Sequence, residues 1–470
     1  MTRRAEDAGD LAARLRAVAE PENLTDLGNA LRLVRLHGAE LRHCQQWKAW
    51  RVWDRRRWAP DHRGQVARHA KATVCSIYAE ASAADDEKER KAIAAHARRS
   101  ESRRHIDAMV ALAASEDAVA VEPAVFDADP WLFNVANGTV NLRDGELLPH
   151  QPDHLITKLA PVDYLPDASH PDWDRLLRGC MAGDVEMIEF LQRICGYTLT
   201  GLTSEEKLFF LHGPEATGKT TFVEALKAMM GDYATTADFE VFTKRQGDRG
   251  ATNDLARLNG ARLVAGVEVD EGKRLAEGLV KTLTGGDTVT ARHLYAEYFE
   301  FAPTFKLWLA ANARPAVNAA DGAMWRRIVQ IPFVHQVAEG DRDPELKRRA
   351  KSDPQFRSAV LSWAVRGCLD WRSEGSRLQV PETVKSYTDG YREENEPLRD
   401  WITDSCELGP GLREATGDLR RSYNAWAESV GEKPVDAKRW AAALEANGCH
   451  QGRTAKRRLW HGIAIRRGPR

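Results

Sequence analysis

The octapeptide inside "FLHGPEATGKTTFVEAL", Gly213-x4-Gly218-Lys219-Thr220, restricts the fold of this chain more than any other stretch. Its glycines let backbone N–H groups converge on a β-phosphate at a helix N-terminus, the lysine reaches the β- and γ-oxygens, and the threonine hydroxyl coordinates Mg2+. Gly213, Pro214, Glu215, Ala216, Thr217, Gly218, Lys219, Thr220 and Thr221 are therefore the expected nucleotide cradle, with ATP and Mg2+ as cofactors. The loop requires a strand before it and a helix after it. "KLFFLHG" and "KTTFVEALKAMM" supply both.

Between Leu208 and Phe333 the apolar runs "KLFFLHG", "ARLVAGVEVD", "FKLWLAAN" and "RRIVQIPF" alternate with helical stretches, which predicts an α/β core with a parallel sheet. The second run ends in Asp270 and Glu271, with Glu268 two residues earlier. Taken alone, such a pair is a solvated strand end. Downstream of a phosphate loop, one carboxylate (Asp270) can hold Mg2+ and its neighbour (Glu271) can polarise the attacking water. The third run ends in Asn312, whose neutral amide can bond the γ-phosphate and the lytic water without adding charge. Arg326 and Arg327 then precede the fourth run, where an arginine reaching a neighbouring subunit would stabilise transition-state charge. The plain alternative for the arginines is a surface pair.

A chain of 470 residues needs about three cores, and 43% hydrophobic residues with 14 Trp can fill them. A formal net charge of −1 argues against coating nucleic acid by bulk electrostatics while permitting local basic stripes. One stripe, "WKAWRVWDRRRWAPDHRGQVARHAK", mixes arginine with four tryptophans; the other, from His450 to the end, carries Lys456, Arg457 and Arg458 and no acid. The seven cysteines include no Cys-x-x-Cys pair, so neither a disulfide framework nor a zinc ribbon is expected. No stretch reads as a signal peptide or a membrane span, and a soluble, cytoplasmic protein is expected.

From Asn29 to about Ser115 the pattern predicts a short aromatic β-region and then charged amphipathic helices. "LFNVANGTVNLRDGELLPHQP" alternates apolar and polar residues around Asn137-Gly138 and Asp144-Gly145, predicting a small β-meander. "VDYLPDASHPDWD" reads as a domain boundary before a helical stretch from Asp174 to Tyr197, and "SRLQVPETVKSYTDGYREENEP" as a linker or hinge. Beyond it, two amphipathic helices present Leu419, Tyr423 and Trp426, then Trp440, Ala441 and Leu444, and "TAKRRLWHGIAI" reads as a hairpin.

Together, "GPEATGKTT", "VEVDEGKRL", "LVKTLTGGDTVTARHLY", "FKLWLAANARP" and "MWRRIVQIPF" resemble the superfamily 3 helicases, specifically the primase-helicase family of phages, plasmids and large DNA viruses. "LFNVANGTVNLRDGELLPHQPDHLITK" resembles the domain that precedes the helicase there, and the pattern from "YREENEPLRDWI" onward its C-terminal winged-helix module. The resemblance implies an AAA+-like P-loop NTPase core between an N-terminal α+β domain and a winged-helix-like module. It divides the chain into an extension (1–28), the α+β domain (29–165), a helical collar for oligomerisation (166–200), the ATPase core (201–345), a helical segment and linker (346–395) and the DNA-binding module (396–470).

Carried over by residue, Lys219 and Thr220 match the Walker A ligands, Asp270 and Glu271 the Walker B pair, Asn312 the sensor, and Arg326 or Arg327 the finger. Lys281, Gly285, Gly286 and Asp287 match a Gly-Gly-Asp segment, and Arg292, His293 and Tyr295 a basic hairpin pointing into the ring, suited to backbone tracking and base stacking. The implied function is an ATP-dependent replicative helicase of a phage, prophage, satellite or plasmid, a homo-hexamer or ring of another size moving 3′ to 5′ on single-stranded DNA. Single-stranded and forked DNA are its expected partners, along with a separate primase or initiator, in a bacterial host cytoplasm. Only 28 residues precede the matched region, where many relatives carry a primase module, so primase activity is not expected. Two other readings stand beside the motor: a nucleotide-gated DNA-binding or origin-loading ATPase without processive unwinding, and an ATPase acting on protein or nucleotide substrates. The motif order and flanking modules argue against the last.

Overall fold

Unbroken apolar runs become the buried strands of a parallel sheet, and the segments around them fold as separate cores. The computed structural model describes residues 22–243, 251–267, 273–292, 294, 297–317, 321–337, 339, 343–395, 398–430, 434–453 and 457–466. It divides into two units, Met1–Pro166 with Met230–Tyr233, and Asp167–Met229 with Ala234–Arg470.

Among the described residues the first unit begins with a helix that the sequence reading missed, α1 (Asp26–His37), capped by the Thr25 side chain. Then come the aromatic strands β1 (Leu41–Cys44), β2 (Ala49–Trp53) and β3 (Trp58–Pro60) in one antiparallel sheet, followed by the expected charged helices α2 (Gln65–Ala83), α3 (Glu87–Ser100) and α4 (Arg103–Ala113). Ala30 and Leu33 of α1, Val66, Ala70 and Val74 of α2, and Met109 and Ala113 of α4 share one core. The meander forms as read: β4 (Leu132–Val135), β5 (Gly138–Asn141) and β6 (Glu146–Leu148) pair antiparallel, and Gly145 takes φ +80° in the second turn. Tyr233 stacks on Phe133 at 4.6 Å and its hydroxyl accepts the Asn134 N–H, so Met230–Tyr233 belongs to this unit.

In the second unit the helical stretch before the core is two helices, α5 (Pro171–Cys180) and α6 (Val185–Leu199), because the chain breaks at Ala182 and Gly183, both at positive φ. Next come β7 (Leu208–His212), α7 (Lys219–Met230), β8 (Ala234–Asp238), α8 (Ala251–Ala256), β9 (Leu263–Val267), α9 (Glu277–Gly285), the hairpin β10 (Val289–Arg292) and β11 (Tyr298–Phe301), β12 (Lys306–Ala311), α10 (Gly322–Trp325) and β13 (Ile328–Pro332). All four expected core strands are present, and they run parallel in the order β13-β7-β12-β9-β8. Every residue of β12 is buried, as a strand covered on both faces demands. The added edge strand β8 had no apolar signature; only Ala237 of its five residues is buried.

Lys306 and Arg262 begin or precede β12 and β9 and donate to the Thr200 and Leu199 carbonyls at the α6 C-terminus, where cations are favoured. Behind the sheet run α11 (Leu346–Ser352) and α12 (Pro354–Ser373). Helix α12 crosses α6 at glycine: a Cβ on Gly196 would lie 2.0 Å from the Cys368 nitrogen, and one on Gly367 2.0 Å from the Gln192 carbonyl oxygen. The two backbones are in contact.

The stretch read as a linker holds α13 (Glu382–Glu394), which packs on β13 and buries Tyr391. Its polar residues bond within the fold rather than to solvent: the Gln330 N–H of β13 donates to Thr388 Oγ1 at 3.0 Å and the Tyr391 hydroxyl to the Pro315 carbonyl. Beyond it, α14 (Arg399–Ser405), β14 (Cys406–Ala415), α15 (Thr416–Ser429), α16 (Ala437–Ala446), β15 (His450–Arg453) and β16 (Arg458–Ile465) have their own core of Trp401, Leu419, Tyr423, Trp440, Leu444, Trp460 and Ile463. The expected helix faces and the hairpin are there, with Trp426 and Ala441 at the core's margin. No described helix is long and apolar enough to cross a membrane.

Candidate nucleotide site

Strand β7 delivers the chain directly into the phosphate loop, and the loop's glycines are required by their surroundings. Gly213 takes φ +155°, and a Cβ there would lie 1.9 Å from the Phe333 carbonyl oxygen, just past β13. Gly218 takes φ +86° with its Cβ position 2.5 Å from Cys180 Sγ. A larger residue at Gly213 would force the loop off the sheet, and one at Gly218 would press on the Cys180 and Leu176 side chains of α5. The loop is also tied from outside, by the Val337 N–H to the Ala216 carbonyl at 3.0 Å and the Gln336 amide to the Glu215 carbonyl at 3.2 Å.

Lys219 opens α7 and is buried. Its ammonium donates to the Gly213 and Pro214 carbonyls at 2.7 and 2.6 Å and to Thr217 Oγ1 at 3.3 Å, so the cation lies over its own loop. Burial lowers its proton affinity, with Glu215 pulling the other way. Thr220 is exposed at the helix start and Thr221 partly so, where a metal or phosphate oxygen can reach them. These residues fit a triphosphate: a cradle with no room for side chains on its inner glycines and one buried cation.

Asn312 follows β12 and is exposed at the same carboxyl end of the sheet that carries the phosphate loop. Strand β9 leads toward the acidic segment, but Glu268, Asp270 and Glu271 lie outside the described residues. So do His293, Tyr295 and Lys456.

The paired arginines have different surroundings. Arg327 is buried, its side chain 8% exposed; it donates to the Ala323 carbonyl at 2.8 Å and pairs with Glu206 at 2.9 Å. A Cβ on Gly285 would lie 3.4 Å from its guanidinium, so the Gly285-Gly286-Asp287 segment leaves room for this arginine. Arg326 is 63% exposed and touches Glu206 at 3.1 Å. Lys281, read as a DNA contact, pairs with Asp321 at 2.8 Å in this structure. The other Asp321 oxygen accepts the Met324 N–H and caps α10. Burial would raise the Asp321 carboxyl, yet Lys281 and the cap hold it below the usual carboxylate range.

In the hairpin, Arg292 faces Tyr298 across the strands, its guanidinium 4.7 Å above the ring. Tyr298 is 58% exposed and Leu294, in the turn, 70%. Tyr298 and Leu294 carried no expectation from sequence; the signal was there in an apolar and an aromatic residue flanking a turn between alternating runs. Arg457 and Arg458 are exposed, and Arg458 faces Arg453 directly across β15 and β16.

The sequence reading also missed the residues behind the loop. His212, the last residue of β7, meets the Tyr387 hydroxyl of α13 at 2.9 Å. Two residues past Asn312, Arg314 lies between the rings of Tyr387 and Tyr391, at 4.9 and 5.4 Å, bonds Gln330 at 3.0 Å and pairs with Glu394.

Residues 30–181 match a family model described as "D5 N terminal like", and residues 211–327 match one described as a family of unknown function (DUF5906). The chain is 27% identical over 323 residues to "Putative helicase L207/L206" of Acanthamoeba polyphaga mimivirus, covering 64% of this chain and 33% of that protein. It is 25% identical over 387 residues to "Putative helicase 022R" of Frog virus 3 (isolate Goorha), covering 65% and 39%, and 26% identical over 150 residues to "Primase D5" of Fowlpox virus (strain NVSL), covering 31% and 19%. Over residues 30–181 the chain is similar to the D5-like primase-helicase family. The chain spans about a third of the length of the curated relatives it matches. Among solved structures it is similar to the NrS-1 C-terminal region, at TM-score 0.49 and 10% identity over 90% of this chain and 96% of that one. The family match agrees with the resemblance carried by the phosphate loop and the motifs after it.

Proposed function

We propose that this chain is the ATP-driven motor of a replicative DNA helicase that assembles as a ring, hexameric by resemblance, and moves 3′ to 5′ along single-stranded DNA. One arrangement supports the reading most. A single edge of one sheet bears the phosphate loop after β7, Asn312 after β12 and the exit of β9 toward Asp270 and Glu271, while the chain between β9 and β12 forms a hairpin with Arg292, Leu294 and Tyr298 exposed. Nucleotide-sensing groups and a strand-tracking element are thus consecutive in one fold.

In this reading Lys219 and the loop amides hold the ATP phosphates, Thr220 and Asp270 hold Mg2+, Glu271 orients water and Asn312 senses the γ-phosphate. ATP supplies the phosphoanhydride whose hydrolysis drives movement. Arg326 is the finger: it is the exposed member of its pair, while Arg327 is engaged within its own subunit.

The C-terminal module supports a duplex contact. Its order of helix, strand, two helices and two strands supports a winged-helix reading in which β15 and β16 are the wing. Arg453 opposite Arg458 places like charges directly across the strands, which costs stability unless an anion lies over them. That same feature favours the second reading, a loader that grips duplex DNA without processive unwinding.

Two measurements on one preparation separate the readings. ATP hydrolysis stimulated by single-stranded DNA together with strand displacement from a forked duplex supports the motor. Stimulation without displacement supports the loader, and hydrolysis indifferent to DNA overturns both.

A further inference from the structure

Helices α1 and α2 bring together two imidazoles and a carboxylate that the ATP reading leaves unused. His37 is the last residue of α1, Glu40 follows it by three residues in a single 3-10 turn, and His69 lies in the second turn of α2. One ligand-capable atom from each lies within 4.8 Å of the others. The imidazole centroids are 4.3 Å apart with the rings tilted by 41°, and His69 Nε2 is 3.8 Å from the Glu40 carboxylate.

We propose that His37, Glu40 and His69 form a site for a first-row transition ion of the Zn2+ class, clipping α1 to α2. Three features of the geometry carry this. First, the donor set is two neutral-capable nitrogens and one oxygen, which suits Zn2+ or Ni2+ and suits Mg2+ or Ca2+ poorly, since those take oxygen shells. Second, tilted rings allow both nitrogens to point at one centre. Bonds of about 2.0–2.2 Å in a tetrahedron set donors roughly 3.5 Å apart, so side-chain rotation alone closes the gap from 4.8 Å. Third, the frame is fixed: α1 and α2 share the core of Ala30, Leu33, Val66 and Ala70, so the backbone carrying the ligands is positioned without the ion. Both histidines are partly buried and Glu40 is exposed, which leaves the fourth position to water on the solvent side.

Two imidazoles in contact repel when both are charged, and no hydrogen bond ties either ring of this pair to another described side chain. A shared cation converts the contact into a bond network.

The test uses the intact chain and Zn2+ itself. Calorimetric titration of metal-stripped protein, in excess Mg2+ to saturate the ATP site, should show one ion bound per chain, with thermal unfolding shifted upward as Zn2+ is added. His37→Gln and His69→Gln should each weaken binding by about tenfold or more and remove the thermal shift, while both variants keep the far-ultraviolet circular dichroism of the parent. Glu40→Gln should weaken binding less, because the amide oxygen remains a poorer ligand. Absence of uptake at tens of micromolar Zn2+, or binding undiminished in both histidine variants, would overturn the proposal.

Discussion

His212 and Tyr387 are joined behind the phosphate loop by a 2.9 Å hydrogen bond. Burial, and then the cations Arg314 and Lys219, push the His212 imidazole down to about 4, while a backbone hydrogen bond to Asn312 pulls the other way. Helix α13 thereby reaches both the start of the phosphate loop and, through Arg314, the segment just after Asn312.

Tyr387→Phe removes only this hydroxyl. The expected loss of stability is about 0.5–1.5 kcal/mol, read as a lower urea midpoint with unchanged slope. Because the bond steadies the residue before Gly213, KM for ATP should rise several-fold while kcat changes less. Equal loss in both would mean that the bond acts on the chemical step.

The His212 shift has a definite sign. Its folded-state proton affinity is below that of the unfolded chain, so the unfolded state binds the extra proton between about pH 6.5 and 4 and stability falls as pH drops through that window. His212→Gln should flatten the melting-temperature profile there relative to the parent. An identical profile would show that His212 does not carry the effect.

Arg326 and Arg327 should separate cleanly. Arg326→Ala leaves the melting temperature nearly unchanged, within about 0.5 kcal/mol, because its contact is exposed. Arg327→Ala removes a buried guanidinium from Glu206 and the Ala323 carbonyl and should cost about 1–3 kcal/mol. ATPase activity should be lost in Arg326→Ala and partly restored on mixing with Lys219→Ala protein, since a mixed interface joins an intact arginine to an intact loop. No recovery with intact assembly would count against a finger acting between subunits.

Lys219→Ala should abolish nucleotide binding or turnover, whereas Glu271→Gln should bind ATP and fail to hydrolyse it, because the lysine neutralises ground-state phosphate charge and the glutamate acts only on water. Fluorescent-nucleotide binding beside phosphate release distinguishes them. Normal hydrolysis by Glu271→Gln would transfer the role to Glu268 or Asp270.

A last contrast concerns the wing. Arg453→Ala with Arg458→Ala should lower affinity for forked DNA and reduce the slope of log K against log salt by about 2, one unit for each phosphate no longer neutralised, while basal ATPase persists. Deleting the module serves the same end only if the cut precedes Leu398. A cut at Pro410 would split β14 and strip the cover from Trp401. An unchanged salt slope would make the wing a structural cap.

What could be read in advance follows from the length scale of each signal. Strands β7, β9, β12 and β13 announce themselves because both faces are buried and the apolar run is continuous. Strand β8, exposed on most of its length, carries no such run. Helix α13 was hidden because Tyr387 and Thr388 spend their polar atoms on strands 58 to 175 residues away in sequence. The partners of Arg327 and Lys281 were equally illegible, because Glu206 and Asp321 lie in distant segments that residue type alone does not announce.

The crossing of α6 and α12 leaves its own mark on how this chain can change over generations. At Gly196 and Gly367 each backbone occupies the space a methyl group would need. Most tight contacts can drift, a larger residue on one side being matched by a smaller one on the other. Here both sides already carry the smallest residue, so neither site can compensate for the other, and two positions 171 apart are fixed as one. Variation in the second unit must therefore be accepted around this point rather than across it, which makes the helix pair the fiducial mark against which related sequences can be aligned.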